Sequence, residues 1–355
     1  MSGRQRAFAL GPRRIGAGEP VFIVAEAGVN HNGDADLARR LVDAAAECGA
    51  DAVKFQTFSV GALLTREAPK AGYQLETTGP GESQRDMLAR LTLGAETLAE
   101  LGERAAKCGL VFFSTPFDEA SADVLEALGV ALFKVPSGEI TNLPLLRRVA
   151  GKGRPVIVST GMATMEEVEE AVRAIREAGD PPLALLHCLS AYPAPAGEVN
   201  LRAMDALAAR FGCPVGYSDH TLGIDIAVAA VARGAAIVEK HLTLDTSLPG
   251  PDHRASLAPP EFRAMVQAIR RVQSALGDGV KRAMPSEIDT RRVARKSLVA
   301  VRALRTGERI AAGDVTSKRP GTGISPAELP RVLGLRLTRD VAADEVISWE
   351  ALARS

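Results

Sequence analysis

Eight short apolar runs, each followed by a longer stretch of helical periodicity, order this chain from Val21 onward. The runs are Val21–Ala25, Ala52–Phe55, Leu110–Ser114, Ala131–Val135, Pro155–Ser159, Leu183–His187, Pro214–Ser218 and Ala236–Lys240. Unbroken apolar runs suit strands buried on both faces, as in a parallel sheet; one-sided strands alternate apolar and polar residues instead. The segments between them, such as ADLARRLVDAAAECG and TMEEVEEAVRAIREAG, repeat apolar residues every three or four positions, and several stop at a glycine. A last helical pattern, Pro259–Leu276, follows the eighth run. Eight such units over about 260 residues have the size of a closed (β/α)8 barrel. The competing α/β arrangement, an open doubly wound sheet, lacks its usual GxGxxG after the first run.

The reading divides the chain into a barrel domain over 1–280, a linker over 281–296 and a small β-rich module over 297–355. The linker is charged and contains a proline. The module carries a weak internal echo, ALRTGERIAAGDV against DVAADEVISWEAL, which suggests pseudo-symmetry. Between Ser59 and Gly94 the alternation is interrupted by a Gly-, Pro- and Glu-rich insertion. Loops of that length inside a domain are usually functional or disordered, and this one is expected over the barrel mouth.

Charge narrows the partners. Lys and Arg total 43, as do Asp and Glu, so no basic surface for a nucleic-acid backbone is expected. No run approaches the ~20 apolar residues of a membrane span, and the first residues lack the apolar core of a signal peptide. The four cysteines form no CxxC pair. A reduced, cytoplasmic protein is the expectation.

In barrels of this kind the active site lies at the C-terminal ends of the strands. Every run here ends in groups able to bind or titrate. Lys54 and Lys134 are cations suited to a phosphate or carboxylate, with the hydroxyls of Thr115, Ser137, Ser159 and Ser218 around them. His220 and His241 end neighbouring strands, and strand eight closes on strand one, which brings Glu26 near. Two imidazoles beside a carboxylate make an open divalent-metal site. His31, His187 and His253 read as loop braces, and Lys240 as an ion-pair partner of Glu239.

The segments IVAEAGVNHNG, VKFQTF, FFSTPFD, FKVPSGEITNLP, VSTGMAT, LLHCLSAYP, GYSDHT, VEKHLTLD and GPDHRAS resemble, in order and spacing, the motif series of the sialic acid synthases. KRPGTGISP and its surroundings are similar to the antifreeze-like (SAF) domain that ends those enzymes. The resemblance runs from about Val21 to Trp349. It implies a (β/α)8 barrel with a C-terminal SAF domain, acting as a domain-swapped homodimer. The implied cofactor is a divalent metal, Mn²⁺ before Mg²⁺ or Co²⁺, held by His220 and His241. Glu139 is implied as the general acid/base, with Glu26 near the metal. Phosphoenolpyruvate contacts map to Lys54, Thr115, Lys134, Ser137, Ser159 and Ser218, and to Ser190 where some members carry asparagine. Sugar contacts map to Gln56, Tyr192, Asp252 and Arg319, the last reaching the acyl group from the partner subunit.

The implied reaction joins phosphoenolpyruvate to N-acetylmannosamine, giving N-acetylneuraminate and phosphate. The alternative product is N,N′-diacetyllegionaminate, from 2,4-diacetamido-2,4,6-trideoxymannose. These sugars differ at carbons four and six, where a loop side chain would discriminate. A 6-phosphorylated sugar would need a further basic site. More distant readings are a Schiff-base aldolase using Lys54, Lys134 or Lys240, another phosphoenolpyruvate-condensing synthase, and an ice-binding protein, which the charged run RRVARKS argues against.

Overall fold

The computed structural model describes residues 7–353. The chain forms two compact units, one ending at Gly277 and one beginning at Asp278.

In the first unit eight parallel strands form, in chain order, β1 (Phe22–Gly28), β2 (Ala52–Thr57), β3 (Val111–Pro116), β4 (Phe133–Val135), β5 (Val156–Ser159), β6 (Leu183–Cys188), β7 (Val215–Asp219) and β8 (Ile237–His241). Ladders join them in the row β3-β2-β1-β8-β7-β6-β5-β4. The two ends of that row, β3 and β4, lie alongside one another without a ladder among the described residues. Seven junctions of the (β/α)8 barrel are therefore hydrogen-bonded, and the eighth is closed by packing. β4 is only three residues long and runs straight into Pro136, which has no N–H to extend a ladder.

The helices form where the periodicity places them. In Ala35–Glu47, Asp34 caps the first turn by accepting from Asp36 N and Leu37 N, and Ala38, Leu41, Val42 and Ala45 turn to the sheet. The helix stops at Cys48, followed by Gly49 at φ +82°. Alternate residues of each strand face opposite ways. The outward set (Ile23, Ala25, Val53, Phe55, Val158, Leu185) packs under the helices. The inward set (Phe22, Val24, Ala52, Phe113, Ile157, Leu186, Ile237) fills the barrel. Gly216 belongs to that interior: a Cβ there would lie 2.4 Å from Ile237 O and 2.7 Å from Leu186 Cδ2. An N-terminal hairpin, Phe8–Leu10 with Arg13–Ile15, adds Phe8, Leu10 and Ile15 to the same cluster and plugs the end opposite the strand C-termini.

The insertion is not a bare loop. It forms three short helices, Val60–Leu63, Gly72–Thr78 and Gln84–Ala89, over an apolar cluster of Val29, Phe58, Met87 and Leu91. Lys70, 9% exposed, staples it internally, donating to Thr78 Oγ1 (2.9 Å) and Gly79 O (3.0 Å).

In the second unit the echo is a structural repeat. Leu304 and Val341 exchange both backbone hydrogen bonds at 2.9 Å. Glu308 and Glu345 play the same part in each half, accepting from Arg305 N and Ala342 N and pairing with Arg302 and Arg339. The antiparallel pair β9 (Ser297–Ala300) and β10 (Val315–Lys318) forms a two-stranded sheet, with isolated bridges such as Val299 to Val346 beside it. The stretch expected as a linker instead holds the helix Ile288–Ala294, whose Arg292 O accepts from Gly321 N at 2.8 Å. Its charged residues read as solvated chain because the helix buries none of its side chains. No described helix is long and apolar enough to cross a membrane.

Candidate active site

Inward positions near the C-terminal strand ends carry the polar residues. Register fixes their neighbours: His241 of β8 pairs with Glu26 of β1, and Glu26 pairs with Lys54 of β2. Lys54 Nζ lies 2.7 Å from Glu26 Oε2 and donates to Thr115 Oγ1 at 3.0 Å. Glu239 sits between the two buried lysines, its Oε1 3.6 Å from Lys54 Nζ, 3.3 Å from Lys134 Nζ and 3.0 Å from the donating Ser218 Oγ.

The electrostatics follow from burial and these partners. Burial raises the Glu26 carboxyl to about 7, with Lys54 offsetting part of the effect. Burial pushes Glu239 the same way, but Lys134, Lys54 and Ser218 outweigh it and hold that carboxyl down at about 2. Burial lowers the Lys134 ammonium, and Glu239 offsets it only in part.

Beside this cluster the rings of His220 and His241 lie 5.4 Å apart, with the ring of Tyr192 tilted against His220 at 4.0 Å. His220 Nδ1 faces Leu189 O at 2.8 Å. His241 Nδ1 is buried without a hydrogen-bond partner, 3.9 Å from Asp252 Oδ2. Burial and the nearby His220 drive His241 well below its ordinary value, and burial raises Asp252 to about 6. A neutral imidazole with an unpaired buried nitrogen fits a cation as its partner. No three His, Cys, Asp or Glu residues form a ready metal cluster among the described residues. The protein thus offers two imidazoles and leaves the remaining positions to other donors.

These groups line one cavity of about 410 Å³. All residues expected at the site line it except Glu139 and Arg319. Ser137 and Ser190 meet across Gly161, whose N–H donates to Ser137 Oγ at 3.0 Å. Ser159 Oγ is buried and unpaired. Glu139 stands on the turn Ser137–Glu139 just after β4, half-buried, and accepts from Asn142 Nδ2 at 2.7 Å. Asn142 in turn caps the helix Leu143–Ala150, so this carboxylate is engaged in a helix start rather than in the cavity wall. Arg319 is exposed just beyond β10 in the second unit.

Lys240 does not pair with Glu239. Adjacent strand residues face opposite sides, so Lys240 turns outward to Asp219 (2.7 Å) while Glu239 joins the site. The same alternation, applied inward from His241, would have placed Glu239 in the site. Cys188, inward on β6 with Sγ 3.7 Å from His220 Nδ1, was missed for the same reason. His31, His187 and His253 face Gly33 N, Val199 O and Thr243 Oγ1.

The comparisons with known proteins agree with this architecture. The NeuB family matches residues 41–281 and the SAF domain residues 295–353. The N,N′-diacetyllegionaminic acid synthase of Campylobacter jejuni is 48% identical over 92% of this chain and 98% of its own length. That of Legionella pneumophila is 45% identical over 99% of both chains. The solved N-acetylneuraminic acid synthetase of Leptospira borgpetersenii superposes with a TM-score of 0.72 at 36% identity, covering 82% of this chain and 96% of its own. The chain therefore belongs to the NeuB family of sialic acid synthases and carries a SAF domain at its C-terminal end.

Proposed function

We propose that this protein condenses phosphoenolpyruvate with 2,4-diacetamido-2,4,6-trideoxymannose and water, giving N,N′-diacetyllegionaminate and phosphate. The observation that carries the reaction class is the buried pair Lys54 and Lys134, sharing Glu239 beside two imidazoles. Two ammonium groups held in a low-dielectric pocket, with unpaired Ser159 and the hydroxyls of Thr115 and Ser218 around them, suit a phosphate-bearing anion. The relatives at 48% and 45% identity favour the diacetamido sugar over N-acetylmannosamine, the first expectation.

In this reading His220 and His241 would hold a divalent cation, Mn²⁺ with Mg²⁺ or Co²⁺ as substitutes, which supplies Lewis-acid polarisation of the sugar aldehyde. Lys54 and Lys134 bind and orient the phosphoenolpyruvate. Its methylene carbon attacks the aldehyde carbon, water adds to the resulting oxocarbenium carbon, and phosphate departs by C–O cleavage. Glu26, whose carboxyl burial raises to about 7, would take a proton from the attacking water. Glu139 reaches these atoms in this scheme only by leaving Asn142. Tyr192 and Asp252 orient the sugar beside the imidazoles. A homodimer is part of the proposal, with Arg319 as the residue it contributes.

The test is phosphate release from phosphoenolpyruvate with Mn²⁺ and either sugar. Release that EDTA abolishes, with the larger kcat/KM for the diacetamido sugar, is the expected result. A larger kcat/KM for N-acetylmannosamine overturns the substrate, and no release with either sugar overturns the reaction.

A further inference from the structure

Besides the lysine and histidine groups, residues of the insertion line the same cavity. There Leu63, Leu64 and Leu88 present half-buried apolar surface, next to Gln74 and Gln84. Leu63 and Leu88 also pack on the insertion's own cluster, whereas Leu64 belongs to no apolar cluster and lines the cavity alone. Gln74 is 8% exposed, and its Oε1 accepts from Ala71 N (3.0 Å) and Gln84 Nε2 (3.2 Å). Gln84 is thereby fixed by one end of its amide, and its Oε1 takes no donor from the protein among the described residues.

This pairing has a chemical sense. An acetamido group offers one N–H and one carbonyl, which a fixed carboxamide can meet with complementary atoms. A leucine wall accepts a methyl group and leaves a hydroxyl without a partner, which costs the hydroxyl-bearing ligand its desolvation. We propose that the insertion is the specificity element of the enzyme: Gln84, fixed by Gln74, receives the acetamido group of sugar carbon four, and Leu64 packs on the methyl of carbon six. Sugars with hydroxyls at both positions are disfavoured at this wall. The inference rests on the proposed condensation and adds to it the residues that choose the sugar.

The experiment measures kcat/KM with 2,4-diacetamido-2,4,6-trideoxymannose and with N-acetylmannosamine for wild type, Leu64→Asn, Leu64→Met and Gln84→Leu. Wild type is expected to favour the diacetamido sugar by about tenfold or more, the size of a methyl-scale discrimination. Leu64→Asn should cut that preference at least fivefold, and Leu64→Met, which keeps the apolar wall, should retain it. Gln84→Leu should lower kcat/KM for the diacetamido sugar more than for N-acetylmannosamine. Because Leu64 stands outside every cluster, its variants are expected to melt within a few degrees of wild type. Phosphate release with a ratio unchanged by Leu64→Asn and Gln84→Leu overturns the subsite and leaves the condensation standing. A wild type that prefers N-acetylmannosamine overturns the subsite and the proposed sugar together and leaves only the reaction class standing. Release with neither sugar overturns both.

Discussion

The ring of Tyr73 stacks on the ring of Tyr192, with centroids 4.9 Å apart and planes 29° from parallel. Tyr73 rides on the insertion helix Gly72–Thr78, and Tyr192 follows β6 and covers His220. The contact thus couples the insertion to the imidazole pair. Aromatic pairs contribute about 1 kcal/mol beyond their burial, which is roughly a fivefold effect on an equilibrium. Tyr73→Ala should therefore raise the sugar KM about fivefold or more and change the phosphoenolpyruvate KM less. Steady-state kinetics with each substrate varied in turn checks this, and an equal rise in both would assign Tyr73 to general folding of the site.

Glu239 is the carboxylate on which Lys134 depends, since no other lies within ion-pair distance of it among the described residues. Glu239→Gln leaves Lys134 buried without a counter-charge, a loss of about 3–5 kcal/mol when one partner of a buried pair is removed. The melting temperature should fall by many degrees. Inorganic phosphate should then restore more stability to the variant than to wild type, because an anion that binds only the folded state supplies the missing charge. Thermal melts across a phosphate series measure both effects, and equal shifts for the two proteins would remove the lysine pair from anion binding.

The barrel was legible because its signal repeats. Each strand has both faces buried, so the residue run itself is apolar, and the strand ends then name the rim. Glu239 was hidden by its neighbour: reading Glu239 and Lys240 as a pair ignored that a strand sends them to opposite faces. The N-terminal hairpin was passed over because its strands are three residues each, too short for periodicity, although FALGPRRI has a Gly-Pro turn between apolar ends. The helix at Ile288–Ala294 was read as linker because it shows no apolar face to bury. The length of the insertion already pointed it over the barrel mouth, and Tyr73, Gln74 and Gln84 do line the cavity; which of its side chains meet the strand ends is purely tertiary and has no signal in the sequence.

Acid should destabilise the first unit through two buried histidines. Burial pushes His31 and His253 down to about 4, from an ordinary value near 6.5. A histidine depressed in the folded state binds fewer protons there than in the unfolded chain. Its contribution is fully present above pH 6.5 and is lost as pH falls toward 4. For His31, which is wholly buried, the shift corresponds to about 3 kcal/mol. Urea unfolding at pH 7, 5 and 4 should show the loss in wild type. His31→Asn, which keeps an acceptor for Gly33 N, should show a flatter profile, and an unchanged slope would mean that His31 is not a source of the acid sensitivity.

Lys240 separates a structural lysine from a chemical one. A Schiff-base lysine must present a neutral amine to the substrate. Lys240 is fully buried on the outward face of β8, its Nζ 2.7 Å from Asp219 Oδ2 and bonded to Thr221 O. Asp219 spends its other oxygen on Thr221 N and Thr221 Oγ1, both at 2.8 Å. The trio thus fixes the turn after β7 that carries His220. Lys240→Met strands the Asp219 charge and should cost about 3–5 kcal/mol, whereas Asp219→Asn combined with Lys240→Met should recover part of that loss. Turnover per folded molecule, measured well below the lowered melting temperature, should persist in Lys240→Met, and borohydride with sugar should label no peptide containing Lys240. Abolished turnover with stability intact, or a labelled Lys240, would make this lysine a catalytic group and reopen the aldolase reading.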